Sequence, residues 1–280
     1  MIRVDSRKVN KGDIFVAIKG FAADGHDYIP QAVERGAVEI VCERAVEGVA
    51  VPQRVVKNAR LEAARLAADF FGHPSERFKL IGVTGTNGKT TTTYMIKAIL
   101  ESRKAIVGLI GTNQNMIGDK VVPTERTTPE SVELQELFAK MADEGCEYVV
   151  MEVSSHALVL DRVAYSGFEV GAFTNLTQDH LDFHADMEEY FNAKVKLLDM
   201  SRHVVVNVDD EWGRSIKGEV REVSGALAQN SKLTREGMEY VYKGELIKVA
   251  AVGGFNLQNT LLAIGVAEEL GYTLQEIVSG

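Results

Sequence analysis

The sequence segment Gly82-Val-Thr-Gly85-Thr-Asn-Gly88-Lys89-Thr90 combines glycines, a lysine and a threonine at the spacing of a phosphate-binding loop. It follows an apolar run and opens an amphipathic one, the strand-to-helix setting such a loop requires. Glycines let backbone amides approach phosphate oxygens, and the helix N-terminus adds its dipole. Lys89 neutralises β- and γ-phosphate charge, and Thr90 offers a hydroxyl to magnesium. The long form of the motif needs glycine at position 83, which is valine here, so the match is to the shorter GxxGK[ST] form. The competing reading is a glycine turn that only caps a helix.

Four further stretches carry polar chemistry. Glu152-Val-Ser154-Ser155-His156 lies just past an apolar run, where open α/β sheets place ligands at the carboxyl ends of their strands. A carboxylate there can hold magnesium beside a phosphate loop. A hydrolase built on Ser154 or Ser155 with His156 is disfavoured, because there is no GxSxG elbow and adjacent residues rarely face each other. Thr174-Asn-Leu-Thr-Gln-Asp179-His180-Leu-Asp182-Phe-His184 has the Asp/His density of a metal or phosphate site. Zinc would need more nitrogen or sulfur ligands than the segment offers, and oxygen-preferring magnesium suits a phosphate site better. Tyr190-Phe-Asn-Ala-Lys194-Val-Lys196-Leu-Leu reads as helix. Its two lysines point about 200° apart, so they cannot both face the loop; the pattern alone does not choose between them. In Gly254-Phe-Asn256-Leu-Gln-Asn259, the asparagines either cap the last helix or read an adenine edge.

The elements that must position these residues follow from periodicity. The chain has 280 residues, a prior of about two domains. Apolar residues are 45% and charged residues 25%, which excludes a disordered or fibrous chain. The net charge of −9 gives no general attraction to nucleic acid or anionic lipid, so phosphate must be gripped locally. Two cysteines, Cys42 and Cys146, form no ligand spacing. No signal peptide and no membrane-length apolar run is seen, and a cytoplasmic location is expected. Residues 13–18 and 38–41 read as strands with a helix at 30–35 between them. A helix after Asn58 places Leu61, Ala64, Ala68 and Phe71 on one face. A boundary falls near 72–77, giving domains 1–74 and 75–280. Beyond it, strands at 80–83, 105–110, 148–153, 170–174 and 203–208 alternate with helices at 91–103, 130–144 and 186–200. That alternation predicts an α/β fold with a mostly parallel sheet. Residues 238–252 read as an antiparallel edge, and 257–270 as the last helix.

Taken together, these motifs resemble the Mur ligase family, and within it the MurE branch, the UDP-N-acetylmuramoyl-tripeptide synthetases. Asp5-Ser6-Arg7, Gly12-Asp13-Ile14-Phe15 and Gly20-x3-Asp24-Gly25-His26 are similar to the uridine-nucleotide domain of MurE and MurF. Thr-Gly-Thr-Asn-Gly-Lys-Thr at 84–90 is similar to the family's ATP loop. Thr127-Thr128-Pro129, the 152–158 segment with Arg162-Val163, Asn175-Leu-x2-Asp179-His180-Leu-Asp182, and Ala193-Lys194-x2-Leu197 extend the match.

The resemblance implies a small N-terminal uridine-nucleotide domain followed by a P-loop ATPase-type central domain. It implies ATP and Mg2+ as cofactors, and UDP-N-acetylmuramoyl-dipeptide and a diamino acid as partners, without nucleic acid or membrane, in a monomer. ATP would phosphorylate the free carboxylate, and the amine would attack the acyl phosphate. By family role, Val4, Ser6, Phe21, Ala22 and Ala23 would face the uridine nucleotide. Gly85, Thr86, Asn87, Gly88, Lys89, Thr90 and Thr91 would hold ATP, with Asn256 and Asn259 near adenine. Thr127, Thr128, Ser154 and Arg162 would hold the acyl-peptide. Lys89, Glu152, His180 and a carbamylated Lys194 would be catalytic, and Thr90, Glu152, His180 and Lys194 would meet the metal. Leu160 and Arg126 depart from residues found in some relatives. The resemblance places the amino-acid-selecting domain beyond Gly280, so the chain alone is expected to be inactive. A MurF-like ligase, a folylpolyglutamate synthase and a non-catalytic nucleotide-binding fragment are the alternatives.

Overall fold

The computed structural model describes residues 1–21, 23–124, 126–179 and 182–280. Ala22 and His180, both expected at the site, lie outside the described residues. The chain divides into two compact units.

The first unit comprises Met1–Pro74, Glu130–Lys140 and Leu160–Ser166. Its centre is a parallel four-stranded sheet in the order Ile2–Arg3, Ile14–Val16, Glu39–Cys42, Gln53–Val55. Asn58 caps the helix Ala59–Phe70, its side chain accepting from the Leu61 amide at 3.0 Å. The buried face of this helix is Ala59, Ala63, Ala64, Ala67 and Ala68. The face expected from Leu61 and Phe71 is therefore corrected: Leu61 is exposed and Phe71 half-buried. Alanines allow close approach to Ile2, Val16 and Val41 in the same apolar cluster, and larger side chains would hold the helix off the sheet. Val132 joins that cluster, so the unit takes in residues that the sequence reading assigned to the second domain. Glu130 pairs with Arg162 at 2.7 Å and with Arg60 at 3.7 Å, and Asn58 donates to Asp161 at 2.9 Å.

The second unit comprises Ser75–Pro129, Met141–Val159 and Gly167–Gly280. Among the described residues it holds an eight-stranded sheet ordered Arg221–Val223, Ser201–Asn207, Phe168–Phe173, Lys79–Thr84, Tyr148–Glu152, Val107–Ile110, Asn115–Ile117, Lys120–Val122. The first six strands are parallel and the last two form an antiparallel edge. The near-continuous apolar runs are buried on both faces, as a parallel sheet covered by helices demands. The helices Lys89–Glu101 and Asn256–Glu269 contribute Ile96, Leu100, Leu262 and Val266 to the same core as Ile81, Val150 and Val205.

Residues 238–252 are not an edge of this sheet. Met238–Tyr242 and Glu245–Val249 form a separate antiparallel sheet with Gln229–Leu233. Met238, Tyr240, Tyr242 and Ile247 bury one face of it in the core. Alternation reports that one face is buried, not which strands a segment pairs with. The main sheet's edges go instead to Arg221–Val223 and Lys120–Val122, too short for a periodicity to show. No helix among the described residues is long and apolar enough to cross a membrane.

Candidate active site

The site lies at the carboxyl ends of three neighbouring strands of the second unit. Lys79–Thr84 runs into the phosphate loop, and the parallel register places Val83 opposite Glu152. On the other side of Glu152's strand, Ile110 lies opposite Met151. Glu152 thus emerges between the phosphate loop and the turn that begins at Gly111.

Two loop glycines are required by geometry. Gly85 has φ +142 and Gly88 φ +84, left-handed conformations that favour glycine. A Cβ on Gly85 would overlap Thr174 Oγ1, and one on Gly88 would overlap the Asn259 side chain. The loop is fastened to the 174–177 segment. Thr86 N donates to Asn175 O at 2.9 Å, and Asn87 N to Asn175 Oδ1 at 3.0 Å. Thr174 Oγ1 donates to Asn87 O at 2.7 Å, and Thr177 N to Thr86 Oγ1 at 3.0 Å.

Lys89 opens the helix Lys89–Glu101 and donates from Nζ to Gly85 O at 2.9 Å and Thr86 O at 2.8 Å. Burial lowers its pKa, and the Glu152 and Asp179 carboxylates oppose that shift. Lys194 comes from the helix Met187–Asp199, capped by Asp186, whose Oδ1 accepts from Glu189 N at 2.8 Å. Its Nζ also donates to Gly85 O, at 2.8 Å, and lies 4.4 Å from the centre of the Tyr190 ring. Burial pushes the Lys194 pKa down to about 6, the Lys89 ammonium acts in the same direction, and Asp179 opposes. Lys196 on the same helix is exposed.

Glu152 is buried, and among the described residues the donors to its carboxylate are neutral. Thr90 Oγ1 donates to Oε2 at 3.0 Å, Thr112 N to Oε1 at 2.8 Å, and Thr112 Oγ1 to Oε2 at 3.1 Å. A buried carboxylate beside a helix-opening threonine hydroxyl is a hard oxygen donor pair, which fits a magnesium ion that keeps several waters. Among the described residues, no three His, Cys, Asp or Glu side chains converge.

The remaining expected residues divide by unit. In the second unit, Thr128 is buried and donates to Glu152 O at 2.9 Å, while its oxygen accepts from Ser154 N at 3.2 Å. Ser154 Oγ accepts from Ala157 N at 3.2 Å, capping the short helix Ser155–Val159. Thr127 reaches Thr112 Oγ1 at 3.1 Å. Thr91 and Asn259 line a cleft of about 630 Å³ with Asn87, Gly88 and Phe255. Asn256 begins the last long helix and accepts from Asn259 Nδ2 at 3.0 Å. In the first unit, Ser6 Oγ donates to Gln31 at 2.6 Å, Val4 is half-buried, and Phe21 and Ala23 are exposed. Arg162 belongs to this unit and pairs with Glu130.

Sequence reasoning did not assign three contacts. Thr112 grips Glu152 from a turn with no motif around it. Tyr190 is the floor under Lys194. Ser155 pairs with the buried His184 rather than with His156, Oγ to Nε2 at 2.9 Å, and His184 stacks on Tyr190 at 4.8 Å. A serine and a histidine 29 positions apart give no sequence signal; the fold alone joins them.

Known proteins resemble this chain over most of its length. The family described as "Mur ligase middle domain" matches residues 83–267, and "Mur ligase family, catalytic domain" matches residues 1–71. The chain is 46% identical, over 98% of its length, to the UDP-N-acetylmuramoyl-L-alanyl-D-glutamate–2,6-diaminopimelate ligase of Caldanaerobacter subterraneus subsp. tengcongensis. It is 43% identical, over its full length, to the similarly named ligase 1 of Clostridium acetobutylicum. It spans 60% and 61% of those relatives. A solved structure of a UDP-N-acetylmuramoyl-L-alanyl-D-glutamate–2,6-diaminopimelate ligase superimposes with a TM-score of 0.87 at 25% identity, covering 99% of this chain and 61% of that one. The MurF ligase of Thermotoga maritima in complex with ADP shares the fold, with a TM-score of 0.66 at 23% identity over 100% of this chain and 65% of that one. On the match that runs through the phosphate loop, Glu152 and Lys194, the chain belongs to the Mur ligase family.

Proposed function

We propose that the chain forms the nucleotide- and acyl-substrate-binding part of a MurE-type ligase. In this reading it joins 2,6-diaminopimelate to UDP-N-acetylmuramoyl-L-alanyl-D-glutamate at the expense of ATP. The observation that carries the reading is the convergence of Lys89, Lys194, Thr90 and Glu152 around one phosphate loop. The names of relatives 43–46% identical supply the substrate.

In this reading the loop amides and Lys89 hold the β- and γ-phosphates. Thr90 and Glu152, with His180 and a carbamylated Lys194, would hold magnesium, which when bound would supply charge neutralisation for the phosphoryl group. Neutral Lys194 is the form that adds carbon dioxide, and its burial against Tyr190 favours that form. Thr127, Thr128, Ser154 and Arg162 hold the dipeptide carboxylate that is phosphorylated. The diamino acid's amine then displaces phosphate from the acyl phosphate. Asn256 and Asn259 sit on the adenine side of the loop. Val4, Ser6 and residues 21–23 face the uridine nucleotide, and residues 1–74 and 75–280 are the two functional domains.

Calorimetric titration of the chain with magnesium ADP, and separately with UDP-N-acetylmuramoyl-L-alanyl-D-glutamate, tests the reading. Saturable binding of both is expected. Binding of neither overturns it, and binding of nucleotide alone favours the non-catalytic module.

A further inference from the structure

We propose that Thr112 is the positioning residue of Glu152: it fixes the carboxylate plane that faces Thr90 and couples it to Thr127. The inference rests on the reading of Glu152 as the carboxylate that meets magnesium.

Ile110 lies opposite Met151 in the parallel pair, so the chain leaving that strand passes beside Glu152. Gly111 makes room there, since a Cβ at that position would meet Glu152 Oε1 at 2.5 Å. Thr112 follows and takes both oxygens of the carboxylate: its amide reaches Oε1 at 2.8 Å and its hydroxyl reaches Oε2 at 3.1 Å. The terminal torsion of a glutamate is otherwise broad. Two donors from one residue remove that freedom. The turn is itself held, because the buried Asn115 accepts from Gly111 N at 3.3 Å.

The hydroxyl chemistry gives the device a direction. A threonine hydroxyl carries one hydrogen. The Glu152 carboxylate is the stronger acceptor and takes the one on Thr112. Thr112 Oγ1 also lies 3.1 Å from Thr127 Oγ1. Oε2 is shared between Thr112 on one side and Thr90, the first turn of the phosphate-loop helix, on the other. A cation entering beside Thr90 meets a carboxylate whose plane is already set.

Thr112 is exposed, so its substitution leaves the core intact. Thr112→Val keeps the shape and the amide but removes the hydroxyl, and Thr112→Ser keeps the hydroxyl. The readout is calorimetric affinity for ADP with magnesium and with EDTA, compared as a ratio. Losing a hydrogen bond to a charged group should reduce the magnesium-dependent gain of Thr112→Val about tenfold. Affinity in EDTA should stay within about twofold, and Thr112→Ser should restore the gain. A valine variant with an unchanged magnesium ratio overturns the proposal, as does a serine variant that falls as far as valine. Should the valine variant not fold, Thr112→Ala reads the same loss. A wild-type protein whose ADP affinity ignores magnesium overturns the reading of Glu152 itself, so the two failures are distinct.

Discussion

Lys89 and Lys194, 105 positions apart, donate to the same carbonyl oxygen: Gly85 O accepts from Lys89 Nζ at 2.9 Å and from Lys194 Nζ at 2.8 Å. Two amines on one acceptor repel if both are charged. Lys194 is the more strongly shifted, with a pKa of about 6, because it is buried and Lys89 adds a like charge.

Carbon dioxide adds only to the neutral amine. Incubation with 13C-bicarbonate at pH 7.5 should give a carbamate carbon signal in the wild-type protein and in Lys196→Ala. Lys194→Ala should show none, and the signal should fade as pH drops below about 6. A signal that survives Lys194→Ala refutes the assignment.

The same shift makes stability pH-dependent. A lysine with a folded pKa of about 6 and an ordinary unfolded value binds fewer protons when folded across the interval between them. Stability therefore rises with pH through that interval. In buffer free of carbon dioxide, the thermal midpoint of Lys194→Met relative to wild type should be highest near pH 6 and should fall steadily toward pH 10. A difference that is flat with pH contradicts a depressed Lys194.

If Lys89 holds phosphate as proposed, Lys89→Ala removes a charge-assisted contact worth about 1.5–3 kcal/mol. ADP affinity should drop about tenfold or more. Calorimetry showing unchanged affinity would remove Lys89 from the nucleotide site.

Gly88→Ala strains a φ of +84 and drives a Cβ into Asn259. Left-handed backbone at a non-glycine residue costs about 1–3 kcal/mol. The midpoint in urea should fall, and nucleotide affinity with it. Gly72→Ala, at φ +69 with open space around it, should lose stability but leave ADP binding unchanged.

The first unit should respond to the uridine end of the substrate. NMR titration with UDP-N-acetylmuramoyl-L-alanyl-D-glutamate should shift amides near Ser6 and Ala23. Shifts confined to residues after 77 would dissociate the unit from that role.

The sequence by itself determined the elements whose signals are local. The phosphate loop was legible because its glycines, lysine and threonine are contiguous and lie between a strand-sized apolar run and a helix. The parallel sheet was legible because strands buried on both faces must be continuously apolar. The separation of Lys194 from Lys196 followed from helix geometry once the loop was the reference: the structure buries the first and exposes the second. Tertiary structure decided everything that depends on pairing across distance. The register of Val107–Ile110 against Tyr148–Glu152 brings Thr112 to Glu152, and a glycine-threonine pair after a strand is too common to announce that. The contact of Ser155 with His184, the stacking of His184 on Tyr190, and the two lysines on Gly85 O join residues from separate elements. The alternation in 238–252 showed a half-buried sheet but not its partner strand. Periodicity records which face of an element meets the core; which neighbour it meets there is set by packing of the whole chain.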